Sequence, residues 1–247
     1  MILYFSATGN SKYVATRIVE VIHDEMREIT DCITDSSFLF EDEWIGIVTP
    51  TYFWGLPSIV NDFLKKSEFH TDYLYFVATY GITPGAIGAL AKEAISNRKV
   101  DALYSVRMVD TYTPIFDIST PEKQNVFTAN TETEIQTVIG SIKEKLCNKQ
   151  MIHTTPAFVV KGIAQPIYNR KARRTSRLSV DANCIGCGLC AKKCPVQAIQ
   201  MKEGKPVWVK EKCVMCLGCL HRCPKFSIQC GNKTRKHGQY TNPNVKT

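Results

Sequence analysis

The chain has 247 residues, 44% of them hydrophobic and 22% charged, with a formal net charge of +8. That length suits one large domain or two modest ones. No apolar run approaches the roughly 20 residues needed to cross a bilayer, so no membrane span is expected; nucleic acid, which a polar basic tail at 232–247 could bind, is not the expected partner either. Cysteine and charge divide the chain. Only Cys32 and Cys147 precede position 184, and nine of the eleven cysteines follow it. Residues 1–164 carry 14 Lys and Arg against 20 Asp and Glu; residues 165–247 carry 17 against 3. A basic C-terminal module beside an acidic N-terminal one could dock within the chain or steer an acidic redox partner; a merely solvated surface is the bland alternative.

Met1–Phe5 reads as a short buried strand. It runs into Ser6-Ala7-Thr8-Gly9-Asn10-Ser11 and then a helix with Val14, Ile18, Val21 and Ile22 at helical spacing. A strand, a hydroxyl-rich loop with glycine and a helix N-terminus together form a seat for phosphate. Backbone N–H groups and hydroxyls point at the anion, and the helix dipole favours it. The spacing is neither a nucleoside-triphosphate loop nor the dinucleotide fingerprint. Plain helix capping by Ser or Thr would also account for it.

Met26–Ile29, Glu43–Thr49, Tyr73–Thr79 and Val100–Val109 are the next strands expected. Tyr73–Thr79 is nearly continuous apolar, as a strand covered on both faces should be. Ser58–Lys66 reads as helical; a second helix is expected from Thr83, with Pro84 at its first position. Thr131 and Glu134 give a capping-box signature before Ile135, Val138, Ile139 and Ile142. Five strands with interleaved helices give an α/β, doubly wound parallel sheet. Ligands in such sheets sit beyond the carboxyl ends of the strands. Three loops leave strands there: Ser6–Ser11, then Pro50-Thr51-Tyr52-Phe53-Trp54-Gly55, then Thr79-Tyr80-Gly81. The first offers phosphate donors; the others offer aromatic faces and glycines that let backbone approach a flat ring. Asp110–Asp117 is a further loop expected near the ligand.

Near the C-terminus the pattern C-x-x-C-x-x-C-x-x-x-C-P is written twice, at Cys184, Cys187, Cys190 and Cys194 and at Cys213, Cys216, Cys219 and Cys223. This is the spacing for two 4Fe–4S clusters, in which the fourth cysteine of each run ligates the other cluster. Cluster one therefore takes Cys184, Cys187, Cys190 and Cys223; cluster two takes Cys213, Cys216, Cys219 and Cys194. Zinc sites use pairs of ligands rather than a triplet with Cys-Pro, and a disulfide framework needs an oxidising compartment. No leader precedes the first strand, so a cytoplasmic location in an anaerobe is expected. Glu203-Gly204-Lys205 reads as a hairpin turn between the repeats. Met215 stands where the first repeat has Gly186, and Cys230 has no place in either cluster.

Phe5-Ser6-Ala7-Thr8-Gly9-Asn10-Ser11 resembles the flavodoxin FMN-phosphate loop, with Ser11 in place of the usual final threonine. Pro50–Pro57 and Thr79-Tyr80-Gly81 with Pro84-Gly85 resemble the second and third loops of the flavodoxin–ferredoxin fusion proteins of anaerobes, and the cysteine-rich end is similar to their fused ferredoxin. The resemblance implies a flavodoxin-like sheet of order 2-1-3-4-5 over residues 1–155, a basic linker at 156–178, a small α+β dicluster domain at 179–231 and a loose tail at 232–247. It implies FMN beside the two 4Fe–4S clusters. Ser6, Thr8, Gly9, Asn10 and Ser11 would hold the phosphate, Tyr52 or Trp54 and Tyr80 would flank the ring, and backbone at Tyr80-Gly81 would meet its polar edge.

No acid–base or nucleophile constellation is evident, so no catalytic residue is expected. Two functions follow: an electron carrier joining a one-electron protein partner (ferredoxin or an acceptor enzyme) to FMN, or an FMN-dependent reductase of a small molecule fed by the clusters. Access to the flavin separates them: a covering linker and cluster domain favour a carrier, and an open pocket favours an enzyme. A binding-only protein with vestigial cofactor sites is the third reading. Oligomeric state is not readable.

Overall fold

The computed structural model describes residues 1–147, 151 and 155–246. The end of the expected first domain at 148–150 and 152–154, and Thr247 of the tail, lie outside the described residues. The N-terminal elements are β1 (Ile2–Tyr4), α1 (Asn10–Ile22), β2 (Met26–Glu28), α2 (Ile29–Thr34), β3 (Leu39–Glu41), β4 (Trp44–Pro50), α3 (Ser58–Lys66), β5 (Glu68–His70), β6 (Tyr73–Tyr80), α4 (Ile87–Ala94), β7 (Ala102–Arg107), α5 (Pro121–Thr128) and α6 (Thr131–Lys143).

The main sheet has the order β2-β1-β4-β6-β7, all parallel. Counting only its five strands, this is the expected 2-1-3-4-5. Side chains alternate between faces with the period-2 rule of a strand. In β6, Leu74, Phe76 and Ala78 join one core while Tyr73, Tyr75 and Val77 join the other. Both faces are covered, which explains the continuous apolar run. β3 and β5 form a separate parallel pair that sequence periodicity did not indicate.

Two local signatures resolve differently. Thr131 and Glu134 do not box their own helix: Thr131 Oγ1 donates to the Arg107 carbonyl, and Glu134 accepts from Arg107 N–H at 2.6 Å. They tie α6 to the end of β7. Pro84 does not open a helix, because Gly85 turns left-handed (φ 59°) and α4 begins only at Ile87.

The expected linker is an ordered helical run over 157–172, in which α turns alternate with π turns at Val160–Ala164 and Tyr168–Ala172. Its buried residues are Val160, Ala164, Tyr168 and Ala172, one every four positions. A four-residue repeat drifts about 40° per step around a 3.6-residue helix. The wider π turns offset that drift and hold the stripe on one face.

The C-terminal module carries β8 (Leu178–Val180), β9 (Ile199–Lys202), β10 (Lys205–Trp208) and β11 (Ile228–Cys230). β9 and β10 form the expected hairpin, while β8 pairs with β11. The tail, expected to be loose, contains a helical turn at Thr234–His237 and packs back on the first domain. The Thr8 carbonyl accepts from Asn242 N–H at 2.7 Å, and the His237 carbonyl accepts from Ile118 N–H. Polar composition concealed this docking, which rests largely on hydrogen bonds, with Tyr240 packed against Val109, Ile118 and Phe127.

Candidate functional site

A cleft of about 250 Å³ opens at the carboxyl ends of β1, β4, β6 and β7. Ser6, Ala7, Thr8, Asn10, Ser11, Pro50, Thr51, Tyr52, Phe53, Trp54, Thr79, Tyr80 and Gly81 all line it. Gly9 and Gly55, the other two residues expected there, shape its loops instead. Gly9 adopts φ 94° as the chain enters α1, with its N–H bonded to Ser6 Oγ. Gly55 closes a two-residue hairpin with Tyr52, each donating to the other's carbonyl.

The phosphate loop is rigidly tied. Ser11 Oγ meets Thr79 Oγ1 at 2.7 Å, joining the first and third loops, and Asn10 Nδ2 donates to the Val109 carbonyl. The N–H groups of the first turn of α1 have no intrahelical acceptor and remain for an anion. In the second loop Phe53 and Trp54 are both left-handed (φ 48° and 60°). Such a turn usually takes Asn-Gly, and each bulky residue there costs on the order of 1–2 kcal/mol. Phe53 stacks on Tyr168 at 5.3 Å and meets the Tyr112 ring edgewise. Tyr52 packs edgewise on Phe5 and Tyr168, whereas Trp54 is 46% exposed at the mouth.

Gly81 is required by close approach: a Cβ there would sit 2.3 Å from Asp110 Cβ. Asp110 lines the cleft, and burial raises its carboxyl above the usual range. Thr51 Oγ1 is buried without a partner on the cleft wall. Such an orphan polar atom among apolar walls, beside hydroxyls and free amides, fits a phosphorylated ring cofactor.

Two small cavities lie in the cysteine-rich module. Cys184, Cys187, Cys190 and Cys223 line one; Cys194, Cys213, Cys216 and Cys219 line the other. These are the two ligand sets expected from the spacing. Among the described residues no three His, Cys, Asp or Glu side chains converge as they would on one ion; the sulfurs instead ring a space. Backbone N–H groups of Ala198, Met215 and Ser227 donate to Cys194, Cys213 and Cys223 Sγ, the kind of hydrogen bond that tunes a cluster's potential. Burial pushes the Cys216 thiol up to about 12 and raises Cys213 and Cys219. Buried thiols of this kind stay neutral unless a metal displaces the proton, so the donor set fits iron–sulfur clusters.

The repeats match in backbone. Gly186 and Met215 are both left-handed, as are Gly188 and Leu217, and Gln197 and Phe226. They differ in what covers them. Met215, Cys216 and Leu217 line the large cleft as well as their own cavity. The remaining cavity shares no lining residue with the cleft. The cavity containing Cys216 is therefore proximal and the other distal.

Several contacts lock this arrangement. Tyr168 Oη donates to the Val214 carbonyl at 2.7 Å, Arg222 reaches the Ser6 carbonyl, and His221 Nε2 lies 2.8 Å from the Thr111 carbonyl. Tyr240 N–H donates to His221 Nδ1, which leaves the proton on Nε2; burial keeps the ring neutral, its pKa lowered to about 4. Sequence reasoning missed Tyr168, Met215 and Leu217 as cleft walls. The one signal for Tyr168 was the four-residue stripe inside the basic run.

A flavodoxin domain matches residues 1–102, and a 4Fe-4S dicluster domain matches residues 183–228. The chain thus pairs a flavodoxin domain with a dicluster domain, as a flavodoxin–ferredoxin fusion does. The dicluster segment is similar to three curated proteins. It is 42% identical to an uncharacterized polyferredoxin-like protein of Methanocaldococcus jannaschii, over 20% of this chain and 37% of that one. It is 39% identical to one component of the ion-translocating oxidoreductase complex of Methanosarcina acetivorans, over 20% of this chain and 19% of that component. It is 39% identical to a ferredoxin of Pyrobaculum islandicum, over 21% of this chain and 50% of the ferredoxin. The chain spans half or less of each relative. The two domains support an iron–sulfur flavin electron carrier, with FMN and iron–sulfur clusters as the suggested cofactors. Among the described residues no helix is long and apolar enough to cross a membrane.

Proposed function

We propose that this chain carries electrons between two 4Fe–4S clusters and FMN, linking a low-potential one-electron protein donor such as a ferredoxin to a reduction accepted by the flavin. When bound, the clusters exchange single electrons and FMN holds one or two, so the protein's task is to position them and tune their potentials. One observation carries the reading: Met215, Cys216 and Leu217 wall both the cleft and the proximal cavity. The same three residues therefore face both sites.

The residues divide the work. Ser6–Ser11 would seat the phosphate with hydroxyls and first-turn amides. Thr51, Tyr52, Tyr80 and Gly81 would surround the ring, and Asp110 places a carboxyl beside it. Cys184, Cys187, Cys190 and Cys223 would hold the distal cluster; Cys194, Cys213, Cys216 and Cys219 would hold the proximal one. Tyr168 and Phe53 close the cleft toward the linker helix and exclude water from that wall.

A reductase remains the second reading because of the cleft mouth. Trp54, Ile82 and Ile115 line the cleft yet are 46%, 56% and 63% exposed. This apolar rim would suit a small planar acceptor. The test is anaerobic reconstitution followed by analysis and reduction. Two clusters require about eight iron atoms per chain, with one FMN. Flavin bleaching by reduced ferredoxin and not by NADH or NADPH supports a carrier. Bleaching by a nicotinamide at a turnover-like rate makes the chain a reductase. Iron near four per chain would overturn the two-cluster assignment.

A further inference from the structure

We infer that electrons enter at the distal cysteine loop, from an acidic one-electron carrier protein that docks on the lysine-rimmed surface around Cys187. The inference rests on the carrier reading above and adds the entry point and the partner's chemistry.

The two loops are copies in sequence and backbone but not in cover. Val214 is 1% exposed because the flavodoxin domain and linker helix lie over it; its counterpart Ile185 is 59% exposed. Cys187 is exposed where its counterpart Cys216 lines the cleft. One loop thus has an internal partner, and among the described residues the other has none. The aliphatic side chain that the sister loop buries is here left open beside the cofactor site, so the distal loop is accessible to a partner.

The rim names the partner's charge. Gly204 at the β9–β10 turn abuts Gly186 through its carbonyl. This brings Lys202 and Lys205, paired across the hairpin, beside the distal loop. Lys225 lines the distal cavity itself. All three are exposed, and among the described residues none is in an ion pair. Of the acids nearby, Glu203 sits at the hairpin tip, and Asp181 is already paired with Arg235. A net positive rim around an exposed aliphatic contact suits a protein with an acidic face, which it would steer over a Debye length of about 10 Å at 0.1 M salt. In the step itself one electron leaves the reduced donor and is gained by the dicluster domain. No bond forms or breaks and no proton moves.

The experiment uses the reconstituted full chain and, as probe, a reduced acidic ferredoxin carrying 4Fe–4S clusters. Stopped-flow reduction is compared for the wild type, for Lys202→Glu/Lys205→Glu/Lys225→Glu, and for a control of equal charge change on the linker, Arg170→Glu/Lys171→Glu/Arg174→Glu. The rim variant should lose at least about 10-fold in second-order rate constant at low salt, and the loss should vanish at high salt. The control should change less than threefold. Carbodiimide cross-links to the oxidised probe, mapped by mass spectrometry, should fall on Lys202, Lys205 or Lys225. At high salt, where surface charge is screened, reduced methyl viologen, a small cation that needs no docking, should bleach the flavin of all three proteins alike, each first checked for equal iron per chain. Failure of viologen to bleach the flavin sinks the carrier reading. Viologen bleaching with a ferredoxin rate unaffected by rim reversal, or affected equally by the control, overturns the docking site alone. Failure of the probe to reduce the wild type at all also counts against it.

Discussion

The phosphate loop is held from behind by the C-terminal tail, and this predicts a flavin phenotype far from the cleft. Asn10 Oδ1 accepts two hydrogen bonds, from Tyr240 Oη and from Asn242 Nδ2, each 3.2 Å long. The pair Tyr240→Phe/Asn242→Ala removes both and leaves the Asn242 N–H bond to Thr8 intact. A typical hydrogen bond contributes about 0.5–1.5 kcal/mol net. At 3.2 Å these two belong in the lower half of that range, so the pair contributes roughly 1–2 kcal/mol. Without it Asn10 is held only through its Nδ2 bond to the Val109 carbonyl, and the binding-competent loop becomes a fraction of the ensemble. Apparent affinity falls by that fraction, and 1.4 kcal/mol is a factor of ten. The FMN dissociation constant should rise about 5- to 30-fold, read by quenching of flavin fluorescence as apoprotein is titrated in. Riboflavin lacks the phosphate and serves as the internal control, so its affinity should change less than twofold. An FMN constant within twofold of the wild type, or an equal loss for riboflavin, would refute the clamp.

Three further outcomes follow. Tyr168→Phe strands the Val214 carbonyl at the junction and should cost about 1–2 kcal/mol, lowering Tm by roughly 2–8 °C for a chain of this size; a calorimetric shift under 1 °C contradicts the role of that bond. The raised carboxyl of Asp110 means the folded state prefers its protonated form, so its contribution is favourable below the ordinary carboxylate pKa and is lost as pH rises through the folded value. Asp110→Asn should therefore raise Tm of the flavin-free protein at pH 7, with the gain fading as pH falls through the raised folded value and gone below about pH 4; a gain that persists in acid would assign it to packing instead. Cys216→Ser should bring iron from about eight toward about four per chain while the distal set stays filled, and iron unchanged on analysis would remove Cys216 from the proximal site.

What was legible in the sequence is what local spacing dictates. The cysteine repeats placed two sets of four around two cavities, because ligand spacing and the Cys-Pro turn act over a dozen residues. The phosphate loop and the doubly wound parallel sheet were equally local in origin, from one strand–loop–helix unit and the alternation of elements, whereas the strand order came from the family resemblance. The junction was not legible. Arg222 reaching the Ser6 carbonyl spans 216 positions, and Asn242 reaching Asn10 spans 232. Nothing near Asn242 marks it as anything but a polar tail residue. The basic run was read as a solvated linker since its charges are exposed; its buried residues, Val160, Ala164, Tyr168 and Ala172, repeat at a spacing that suits a helix only once π turns are admitted.

The contrast between Met215 and Gly186 shows how one backbone serves two surfaces. Both residues are left-handed, which costs a side-chain-bearing residue about 1–2 kcal/mol. In the proximal loop Met215 and Leu217 are 4% and 3% exposed, and burying such a side chain contributes about 1.5–3 kcal/mol. Burial therefore matches or exceeds the conformational cost, and the side chains stand between the cleft and the proximal cavity. In the distal loop the same trade is closed off. A Cβ on Gly186 would lie 2.6 Å from the Gly204 carbonyl, and the exposed neighbour Ile185 shows that among the described residues nothing covers the loop to bury what was added. Glycine there keeps the backbone shape with nothing above it. The Met215/Gly186 difference between the two repeats is the difference between a loop that faces the chain's own cleft and one that faces outward.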